Sequence, residues 1–552
     1  MSNTAIVVYN LGLLLFGWHR ILSYLRYFQQ EEYSPKRLWG WMVQKKAFDR
    51  RGALVAVVTS VLAHFSTSSS ALVVVALLGC LSFVIIVRFI EVDPRTSGKI
   101  KLNMTQRATK IAQVSFAIFF ALSFLWMLCV CPTCNSASLG YDSSQIDAFA
   151  TMAKLSILLV ITPPLLLVVA NLLLSPAERS LQQSFLNDAK RILADVDPFI
   201  IGITGSYGKT GAKAALGELL TQCLGPTFWP RKSINTVMGI TRSIRENMRP
   251  YHKYAVIEMG AYNIGSIKRL CDFTPPRASL VTAVGIMHLE RFGSPENVYT
   301  AKSEIAQALP KQGILVCNGD SPNARRMARE HAHDTTLLYG LDTNAGHLDC
   351  RASDITFDDK GTRFVIHWRG QQYPGRTPLL GRPALSNILG AFTMACALGA
   401  DPAYAVACMA NLEPVDNRLV LDRKACVSFL RDAYNSNPTG FAAALEVLKT
   451  LPATQRVVMT PGMIELGDQQ FSQNKQLASE AARVADLIIV VGVINRNAIL
   501  AGLAEATFPT ERTIIVDSRE EAFSIVQSRC EAGSLVLIEN DLGDLHEGRV
   551  RF

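Results

Sequence analysis

Residues 204–210, TGSYGKT, place two glycines, a lysine and a threonine hydroxyl directly after a short apolar run. Gly205 and Gly208 would let backbone N–H groups face phosphate oxygens, and the helix that follows would add a favourable dipole. Lys209 would then reach the terminal phosphates of a nucleotide, and the Thr210 hydroxyl would ligate magnesium. The spacing therefore predicts a phosphate-binding loop.

Ile203 stands where the strict Walker pattern has a glycine, so the loop alone is equally compatible with a glycine-rich turn that carries a surface lysine. Glu258 closes a later apolar run, at the place where α/β folds put a metal-binding acid, with helix capping as the alternative. His288 follows the end of another run, although a lone histidine is more often structural. Together these side chains favour a nucleotide and metal site at one sheet edge.

Short β-branched runs alternate with helical patterns from residue 198 onward, which predicts a mostly parallel sheet covered by helices. The predicted strands are residues 199–204, 255–259, 279–284 and 313–318. Residues 321–380 interrupt the alternation and indicate an antiparallel edge or insertion, and a long helix follows over residues 384–398. We expect a central α/β domain of the P-loop ATPase type at residues 198–414.

A second alternating series begins after Pro414. Its predicted strands are residues 426–431, 456–460, 487–493, 513–517 and 534–539. This series predicts a smaller, Rossmann-like α/β domain at residues 415–552.

The composition separates the two halves of the chain. Its 552 residues are too many for one core, and the apolar residues that make up 49% of it are concentrated before about residue 176. The net charge of +9 comes largely from loops between apolar stretches, and the lack of a basic motif interleaved with aromatics disfavours nucleic-acid binding. The twelve cysteines lack the paired spacing of a zinc site and define no disulfide scaffold.

Five apolar stretches predict membrane spans, although the first two are short for the ~30 Å hydrocarbon core of a bilayer. They are residues 4–18, 53–66, 71–89, 112–130 and 155–174. Lysines and arginines crowd the loops after the first and third stretches, whereas residues 66–70 and 131–153 contain none. The positive-inside rule then places the N-terminus outside and everything after residue 175 in the cytoplasm. Residues 1–175 are therefore a predicted helical transmembrane domain.

Two features of this half leave alternatives open. Cys131 and Cys134 would lie near the outer face, where a disulfide and two free thiols are equally compatible with the sequence. Pro163 and Pro164 should kink the fifth stretch, because the second proline removes a helix hydrogen bond and clashes with the preceding turn. We interpret the kink as a packing feature, with a lipid-facing groove as the alternative.

Ten pieces of the sequence resemble, in order, the Mur ligase family of ATP-dependent amide ligases, and they cover about residues 198–500. The branch that adds D-alanyl-D-alanine (MurF-like) is the most similar. The pieces are TGSYGKT (204–210), SINTVMGI (233–240), IEMGAYNIGSI (257–267), AVGIMHLERFGS (283–294), AKSEI (301–305), NGD (318–320), Asn387, Asn417 with Arg418, DAYNSNP (432–438) and PGMIELG (461–467). The family's loop is GxxGK followed by Ser or Thr, which accounts for Ile203.

The resemblance implies a role for each matching residue. The residues implied to bind ATP are Gly205, Ser206, Gly208, Lys209, Thr210, Asn318, Asn387, Arg418, Asp432 and Asn435. Those implied to hold magnesium, two ions in number, are Thr210, Glu258, His288 and Lys302. Those implied in catalysis are Lys209, His288 and Lys302, and those implied to contact substrate are Ser233, Asn235 and Glu465. The resemblance also implies that carbon dioxide carbamylates Lys302, which turns a cation into a metal-binding anion.

The reaction that the resemblance implies has two steps. A substrate carboxylate attacks the γ-phosphate of ATP to give an acyl phosphate and ADP, and an amine then displaces phosphate from the acyl carbon. Magnesium and a lysine would offset the negative charge that builds up in both transition states.

Several departures from the family put the substrates in question. The apolar stretches stand where the family has a domain that grips a soluble UDP-linked sugar. Pro383 and Asn474 replace frequent histidines, and residues 538–541 replace a Lys-Gly-Ser run. We therefore expect a ligase embedded in the bacterial inner membrane, with a lipid-linked cell-envelope acceptor and an amino acid or peptide as donor. The alternatives are an amino-acid-polymerising capsule synthetase and a membrane ATPase or transporter, the latter disfavoured because the spans hold few ionisable residues.

Overall fold

The computed structural model describes residues 2–66, 68–96, 100–130, 143–285, 289–342, 346–423, 426–434 and 436–542. The described chain forms two compact units, which divide between Leu181 and Gln182. This division lies between residues 175 and 198, where the sequence predicts the change from apolar helices to an α/β domain.

The first unit is helical. Its helices are α1 (Ser2–Gln30), α2 (Pro35–Gln44), α3 (Arg50–His64), α4 (Ser69–Ile85, continued by a π-helical turn at Ile86–Ile90), α5 (Gln106–Val130), α6 (Ser143–Ile161) and the part of α7 (Pro163–Val196) that precedes the division. Tyr9 and Phe16 of α1 pack against Phe83 of α4, with ring centroids 5.9 and 4.9 Å apart. Buried positions dominate α1, whereas α4, α5 and α7 turn most of their apolar surface outward.

Within the described residues, four helices are long and apolar enough to cross a membrane: Thr4–Gln30, Ser70–Ile90, Gln106–Leu128 and Pro163–Val196. The predicted span at residues 53–66 corresponds to α3, which has 15 residues. The predicted span at residues 155–174 is divided at Thr162 between α6 and α7. The number of long spans therefore differs from the predicted five.

The division at Thr162 has a local cause. Pro163 starts α7 because a proline at the first helical position has no N–H that the helix would need. The same residue cannot donate a hydrogen bond to the turn before it, so α6 ends. The prolines thus begin a new helix, and the predicted kink within one helix is wrong.

The second unit contains two sheets. The strands of the first are β1 (Phe199–Thr204), β2 (Thr227–Phe228), β3 (Tyr254–Glu258), β4 (Ala278–Val281), β5 (Ile314–Asn318), β6 (Thr335–Gly340), β7 (Cys350–Asp358), β8 (Gly361–Trp368) and β9 (Gln371–Thr377). They are ordered β2-β3-β1-β4-β5-β6-β7-β8-β9, and the pairs are parallel except for β7-β8 and β8-β9. The predicted parallel sheet with an antiparallel edge is confirmed.

Helices cover both faces of this sheet. They are α8 (Lys209–Cys223), α9 (Val237–Asn247), α10 (Ser266–Phe273), α11 (Leu289–Phe292), α12 (Pro295–Gln307), α13 (Pro322–Glu330), α14 (Arg382–Ala397) and α15 (Pro402–Cys408). Because side chains alternate along a strand, Ile201 and Ile203 of β1 enter the core beneath α8 and α14, while Ile200 enters the opposite core. Ile203 is fully buried and so serves as a core residue directly before the loop.

The second sheet belongs to the C-terminal domain. Its strands are β10 (Val420–Asp422), β11 (Val427–Asp432), β12 (Arg456–Thr460), β13 (Leu487–Val491), β14 (Thr513–Val516) and β15 (Ser534–Glu539), and its helices are α16 (Pro438–Thr450), α17 (Gln470–Ala482), α18 (Arg496–Glu505) and α19 (Arg519–Arg529). The order is β10-β11-β15-β12-β13-β14, and only β10-β11 is antiparallel among these pairs. The carboxyl ends of β11, β15 and β12 therefore lie side by side, as ligand-binding edges of such sheets do.

Candidate active site

The glycine loop joins β1 to α8 at the carboxyl edge of the first sheet. Gly208 has φ +82°, and a Cβ there would lie 2.2 Å from Oδ1 of Asn387. Gly205 has φ +154°, and a Cβ there would lie 1.9 Å from Oγ1 of Thr282. Ser206 fixes the loop further, since its N–H donates to the Ala283 carbonyl at 2.6 Å. Any side chain at either glycine would displace the loop.

Two lysines converge on one carbonyl oxygen of this loop. Nζ of Lys209 donates to the Gly205 oxygen at 2.7 Å, and Nζ of Lys302 donates to the same oxygen at 2.9 Å. Lys302 projects from α12 and is only 4% exposed. Burial lowers the pKa of Lys302 well below its ordinary value, and the charge of Lys209 lowers it further. Burial also lowers the pKa of Lys209, against the opposing charge of Glu258.

Glu258, at the end of β3, is the centre of a buried polar cluster. Its Oε2 accepts from the Thr210 hydroxyl at 3.0 Å and from Nζ of Lys213 at 3.1 Å. Its Oε1 accepts from Nδ2 of Asn235 at 3.2 Å. Ser233 joins the cluster through its hydroxyl, 3.1 Å from that of Thr210. The structure thus brings two residues predicted to contact substrate beside two predicted to hold a metal.

Lys213 is a member of this cluster that the sequence analysis missed. It is only 1% exposed and forms a buried ion pair with Glu258. Its position four residues after Lys209 in α8 places both lysines on one face of the helix. The four-residue spacing from Lys209 is the feature of the sequence that could have predicted Lys213 as part of the site.

Asn318 and Asn387 are both predicted to approach adenine. Asn387 lies beside the glycine loop, and Asn318 contacts Ser386, the residue before Asn387. A Cβ added to Gly211 would lie 2.9 Å from Nδ2 of Asn387, and a Cβ added to Gly208 would lie close to Oδ1 of the same residue. The Asn387 side chain therefore packs directly against both glycines. Asn318, at the end of β5, donates to the Ser386 hydroxyl at 3.4 Å. Because Ser386 and Asn387 are neighbours in α14, that helix connects the end of β5 to the loop.

The C-terminal domain contributes a charged group. The guanidinium of Arg418 lies 4.1 Å from the ring centroid of Tyr434, a cation–π distance. Burial raises the pKa of Asp432 to about 6, although the positive charge of Arg418 opposes the shift. The charge of Arg418 also lowers the pKa of Lys209. This coupling places Arg418 within electrostatic reach of the loop.

Glu539 is a second buried carboxyl that the sequence analysis did not select. It ends β15 in register with Asp432 and is fully buried, and Ser436 donates to its Oε1. Its Oε2 has no hydrogen-bond partner among the described residues. Burial raises the pKa of Glu539 well above its ordinary value, and the neighbouring charge of Asp432 adds to the shift.

Glu465, predicted to contact substrate, lies in the loop between β12 and α17 and has a left-handed backbone, φ +63°. Asparagines hold that loop. Nδ2 of Asn474 donates to the Met463 carbonyl at 3.0 Å, Nδ2 of Asn495 donates to the same oxygen at 2.9 Å, and Asn540 donates to Gly462 at 2.7 Å. Asn474 therefore helps to shape this loop.

Thr210 and Glu258 are two of the four predicted magnesium ligands, and the structure places them side by side. Their side-chain oxygens lie 3.0 Å apart, and hydroxyl and carboxylate oxygens are the ligands that magnesium takes beside nucleotide phosphates. Within the described part of the chain, no cluster of three His, Cys, Asp or Glu side chains could hold a metal. His288 and Asn435 lie outside the described residues, as do Cys131 and Cys134 of the disulfide hypothesis.

This arrangement defines a class of protein: a nucleotide-binding α/β enzyme with a phosphate loop and a second, mostly parallel domain. Residues 203–395 match the Mur ligase middle domain, and residues 417–539 match the Mur ligase glutamate ligase domain. The chain belongs to the Mur ligase family. The predicted family and fold are thereby confirmed.

The chain resembles ligases from several bacteria. It is 32% identical over 295 residues to the UDP-N-acetylmuramoyl-tripeptide--D-alanyl-D-alanine ligase of Escherichia coli, covering 53% of this chain and 64% of that protein. It is 29% identical over 361 residues to the ligase of the same name from Mycobacterium tuberculosis, and the match covers 62% of this chain and 70% of that protein. The chain thus spans just under two thirds of the length of the Escherichia coli relative.

Solved structures agree with this assignment. A crystal structure of MurF from Acinetobacter baumannii gives a TM-score of 0.57 at 26% identity and covers 66% of this chain and 78% of that one. The MurF ligase of Thermotoga maritima in complex with ADP gives a TM-score of 0.56 at 24% identity and covers 65% of this chain and 80% of that one. The second comparison supports the fold.

Proposed function

We propose that the chain is a membrane-embedded ligase that uses ATP to join a carboxylate to an amine, and that its acceptor is a lipid-linked component of the cell envelope. The observation that carries the proposal is the convergence of Lys209 and Lys302 on one carbonyl oxygen of the loop. Two cations at a glycine loop suit a group that is highly anionic, as the phosphates of ATP are.

The nucleotide would lie along the loop. Backbone N–H groups between Gly205 and Thr210 would bind its phosphates, and Asn318 and Asn387 would approach its adenine. Thr210 and Glu258 would hold magnesium together with His288, and that ion, when bound, neutralises phosphate charge and polarises the phosphoryl oxygens. Arg418, Asp432 and Asn435 would close over the nucleotide from the C-terminal domain.

Lys302 would act as a carbamate. Only an uncharged amine reacts with carbon dioxide, and the lowered pKa of Lys302 increases the uncharged fraction. The nitrogen forms a bond to the carbon of carbon dioxide and loses one proton, which leaves an anionic carbamate. The negative carbamate would attract Lys209, whereas two protonated lysines repel each other. The carbamate would also supply an oxygen ligand for metal.

The two chemical steps balance as follows. An oxygen of the acceptor carboxylate attacks the γ-phosphorus, the bond between that phosphorus and the β–γ bridging oxygen breaks, and ADP leaves. The amine nitrogen then attacks the acyl carbon, the bond from carbon to the phosphate oxygen breaks, and phosphate and one proton leave. Lys209 would stabilise the charge on the transferring phosphoryl group. Ser233, Asn235 and Glu465 would position the two substrates.

The membrane part of the proposal rests on the helical unit. Three of its four long apolar helices, α4, α5 and α7, turn most of their apolar surface outward, as lipid-facing helices do. With the N-terminus outside and the catalytic domains in the cytoplasm of a bacterial cell, the acceptor would be held at the inner leaflet of the inner membrane. A polymerising capsule synthetase with the same topology is the second candidate, and the mass of the product distinguishes repeated from single addition.

The acceptor is tested with the purified full-length protein in detergent. ADP release would be measured with amino acids and either lipid-linked carboxylates or a soluble UDP-linked muramoyl peptide. We expect release with the lipid-linked class. Release with only the UDP-linked acceptor would overturn the lipid-linked assignment, and release without any acceptor would favour an ATPase.

A further inference from the structure

A small cavity with both charged and apolar walls lies within the helical unit, between the beginning of α5 and the middle of α7. Its volume is about 50 Å³. Its wall includes Arg107, Lys110, Ile111, Asn171, Leu174 and Ser175. The catalytic site described above uses none of these residues.

Arg107 is held in place on two sides. Its guanidinium lies 4.2 Å from the ring centroid of Tyr33, and its Nη2 donates to Oδ1 of Asn171 at 3.0 Å. Asn171 is 91% buried and donates in turn to the Tyr33 carbonyl at 3.4 Å. A guanidinium fixed by stacking and by one hydrogen bond keeps further N–H groups for a ligand.

The size and chemistry of the cavity fit a phosphate group. One water needs about 10–15 Å³ of such space, so a volume of about 50 Å³ corresponds to several waters or one phosphate. Arg107 and Lys110 supply two positive charges, and the Ser175 hydroxyl supplies a neutral donor. Glu178 also lines the cavity and offsets one of the charges, which leaves a net charge of about +1.

The surroundings of the cavity fit a lipid. Ile111 and Leu174 give it apolar walls, and α5 enters its long apolar segment at Gln106, one residue before Arg107. In the proposed topology the basic loop before α5 is cytoplasmic, so Arg107 and Lys110 would lie at the headgroup level of the inner leaflet. Arginine and lysine at that depth commonly bind anionic headgroups.

We propose that this cavity binds the phosphate group of a membrane lipid from the cytoplasmic leaflet, with Arg107 and Lys110 as its ligands. The proposal rests on the membrane embedding of the proposed function. It gives the lipid-linked acceptor a definite chemistry: the carboxylate is carried on a lipid that bears a phosphate next to its hydrocarbon chain.

Binding is tested with the full-length protein in uncharged detergent. The probes are a polyprenyl phosphate, phosphatidylglycerol, phosphatidylcholine and inorganic phosphate, with native mass spectrometry as the readout. The variants are Arg107→Gln and Lys110→Gln, singly and together, and the control is Lys101→Gln, an exposed lysine of the loop directly before α5. Because Lys110 is exposed, Lys110→Gln should fold even if loss of the Arg107 contacts disturbs the unit.

We expect polyprenyl phosphate to bind and the double variant to weaken it at least about tenfold, as the loss of a charge-assisted hydrogen bond implies, while Lys101→Gln has no effect. Stronger binding of polyprenyl phosphate than of phosphatidylglycerol assigns the cavity to the acceptor, and the reverse order assigns it to bulk phospholipid and overturns the acceptor assignment. Equal loss in Lys101→Gln, or binding of inorganic phosphate as tight as that of the lipids, would overturn the lipid site altogether.

A parallel ADP-release assay separates this inference from the proposed function. If lipid-linked acceptors support ADP release equally in the native protein and the double variant, the cavity assignment fails and the ligase assignment stands. If polyprenyl phosphate binds through Arg107 and Lys110 but no lipid-linked acceptor supports ADP release, the proposed function fails and the lipid site stands.

Discussion

Lys209 and Lys302 share a hydrogen-bond acceptor, the carbonyl oxygen of Gly205, at 2.7 and 2.9 Å. Two ammonium groups on one oxygen repel each other, and burial lowers the pKa of both. The arrangement is unfavourable for the protein without ligands, and an anion between the lysines would relieve it. A γ-phosphate or a carbamate on Lys302 would each supply that anion.

The first prediction concerns Lys302→Met. The unfolded chain binds the lysine proton with the ordinary pKa of 10.5, and folding lowers that pKa. Between the two values the unfolded chain holds more protons, so the free energy of unfolding rises with pH. In buffers free of carbon dioxide, Lys302→Met should therefore stabilise the protein by about 0.5–2 kcal/mol at pH 7.5, less at pH 10, and abolish ADP release.

Thermal unfolding at both pH values measures this effect, and the exposed Lys311→Met is the matched control. A loss of stability in Lys302→Met that is equal at both pH values would contradict the account. For the native protein, removal of bicarbonate should lower activity, and its return should restore it.

The second prediction separates stability from function at the Lys213–Glu258 ion pair. Lys213→Ala leaves a buried carboxylate without its cation and should cost about 3–5 kcal/mol. Replacement of both partners, Lys213→Met with Glu258→Leu, should recover most of that loss but leave the enzyme inactive, because Glu258 is a proposed metal ligand. Lys268→Ala breaks an exposed pair with Asp272 and should cost no more than about 1 kcal/mol.

Chemical denaturation of the three variants and the native protein gives the free energies of unfolding. A double variant as unstable as Lys213→Ala would contradict this explanation, because the loss of stability would then not come from an unpaired buried carboxylate.

The third prediction uses two glycines with similar backbones. Gly208 and Gly265 have φ values of +82° and +86°, but only at Gly208 would a Cβ meet another atom, Oδ1 of Asn387 at 2.2 Å. Alanine at either position costs about 1–2 kcal/mol of backbone strain. Gly208→Ala should in addition displace the loop and weaken ATP binding at least about tenfold, a change of 1.4 kcal/mol. Calorimetric titration with ATP measures this difference, and equal affinities in the two variants would exclude Asn387 as a support of the loop.

The fourth prediction concerns Glu539→Gln. Folding raises the pKa of this carboxyl well above its ordinary 4.5, so above pH 4.5 the folded chain holds more protons than the unfolded chain and loses stability as pH rises. Glutamine has no charge to lose, so Glu539→Gln should raise the melting temperature more at pH 8 than at pH 5.5. The exposed Glu531→Gln is the control. A gain that does not depend on pH would contradict the buried, protonated state of Glu539.

Periodicity and strand-end residues were sufficient to predict the sheets. The predicted bounds of β1 (Phe199–Thr204) and β12 (Arg456–Thr460) agree with the structure at both ends. Such strands are predictable because buried parallel strands are continuous β-branched segments with glycine or proline at their ends. The loop was located by its glycines and Lys209. Ile203, which breaks the Walker pattern, has a physical reason that appears only in the fold, since it fills the core beneath α8.

Contacts between distant segments could not be predicted from local pattern. Lys213 reads as a surface lysine of a helix until β3 brings Glu258 against it. Glu539 is one polar residue at a strand end until the strand order sets it beside Asp432. The division at Thr162 depends on whether a proline pair continues a helix or starts one, and the sequence is compatible with both.

The most direct test of the central claim is ADP release by the full-length protein supplied with a membrane extract and amino acids, compared with Lys209→Ala. We predict that release needs the extract and an amino acid together and falls at least about 100-fold in Lys209→Ala, while Lys311→Ala retains full activity. Release that is unchanged in Lys209→Ala, or that proceeds without acceptor and amine, would contradict the assignment of the loop and of the ligase.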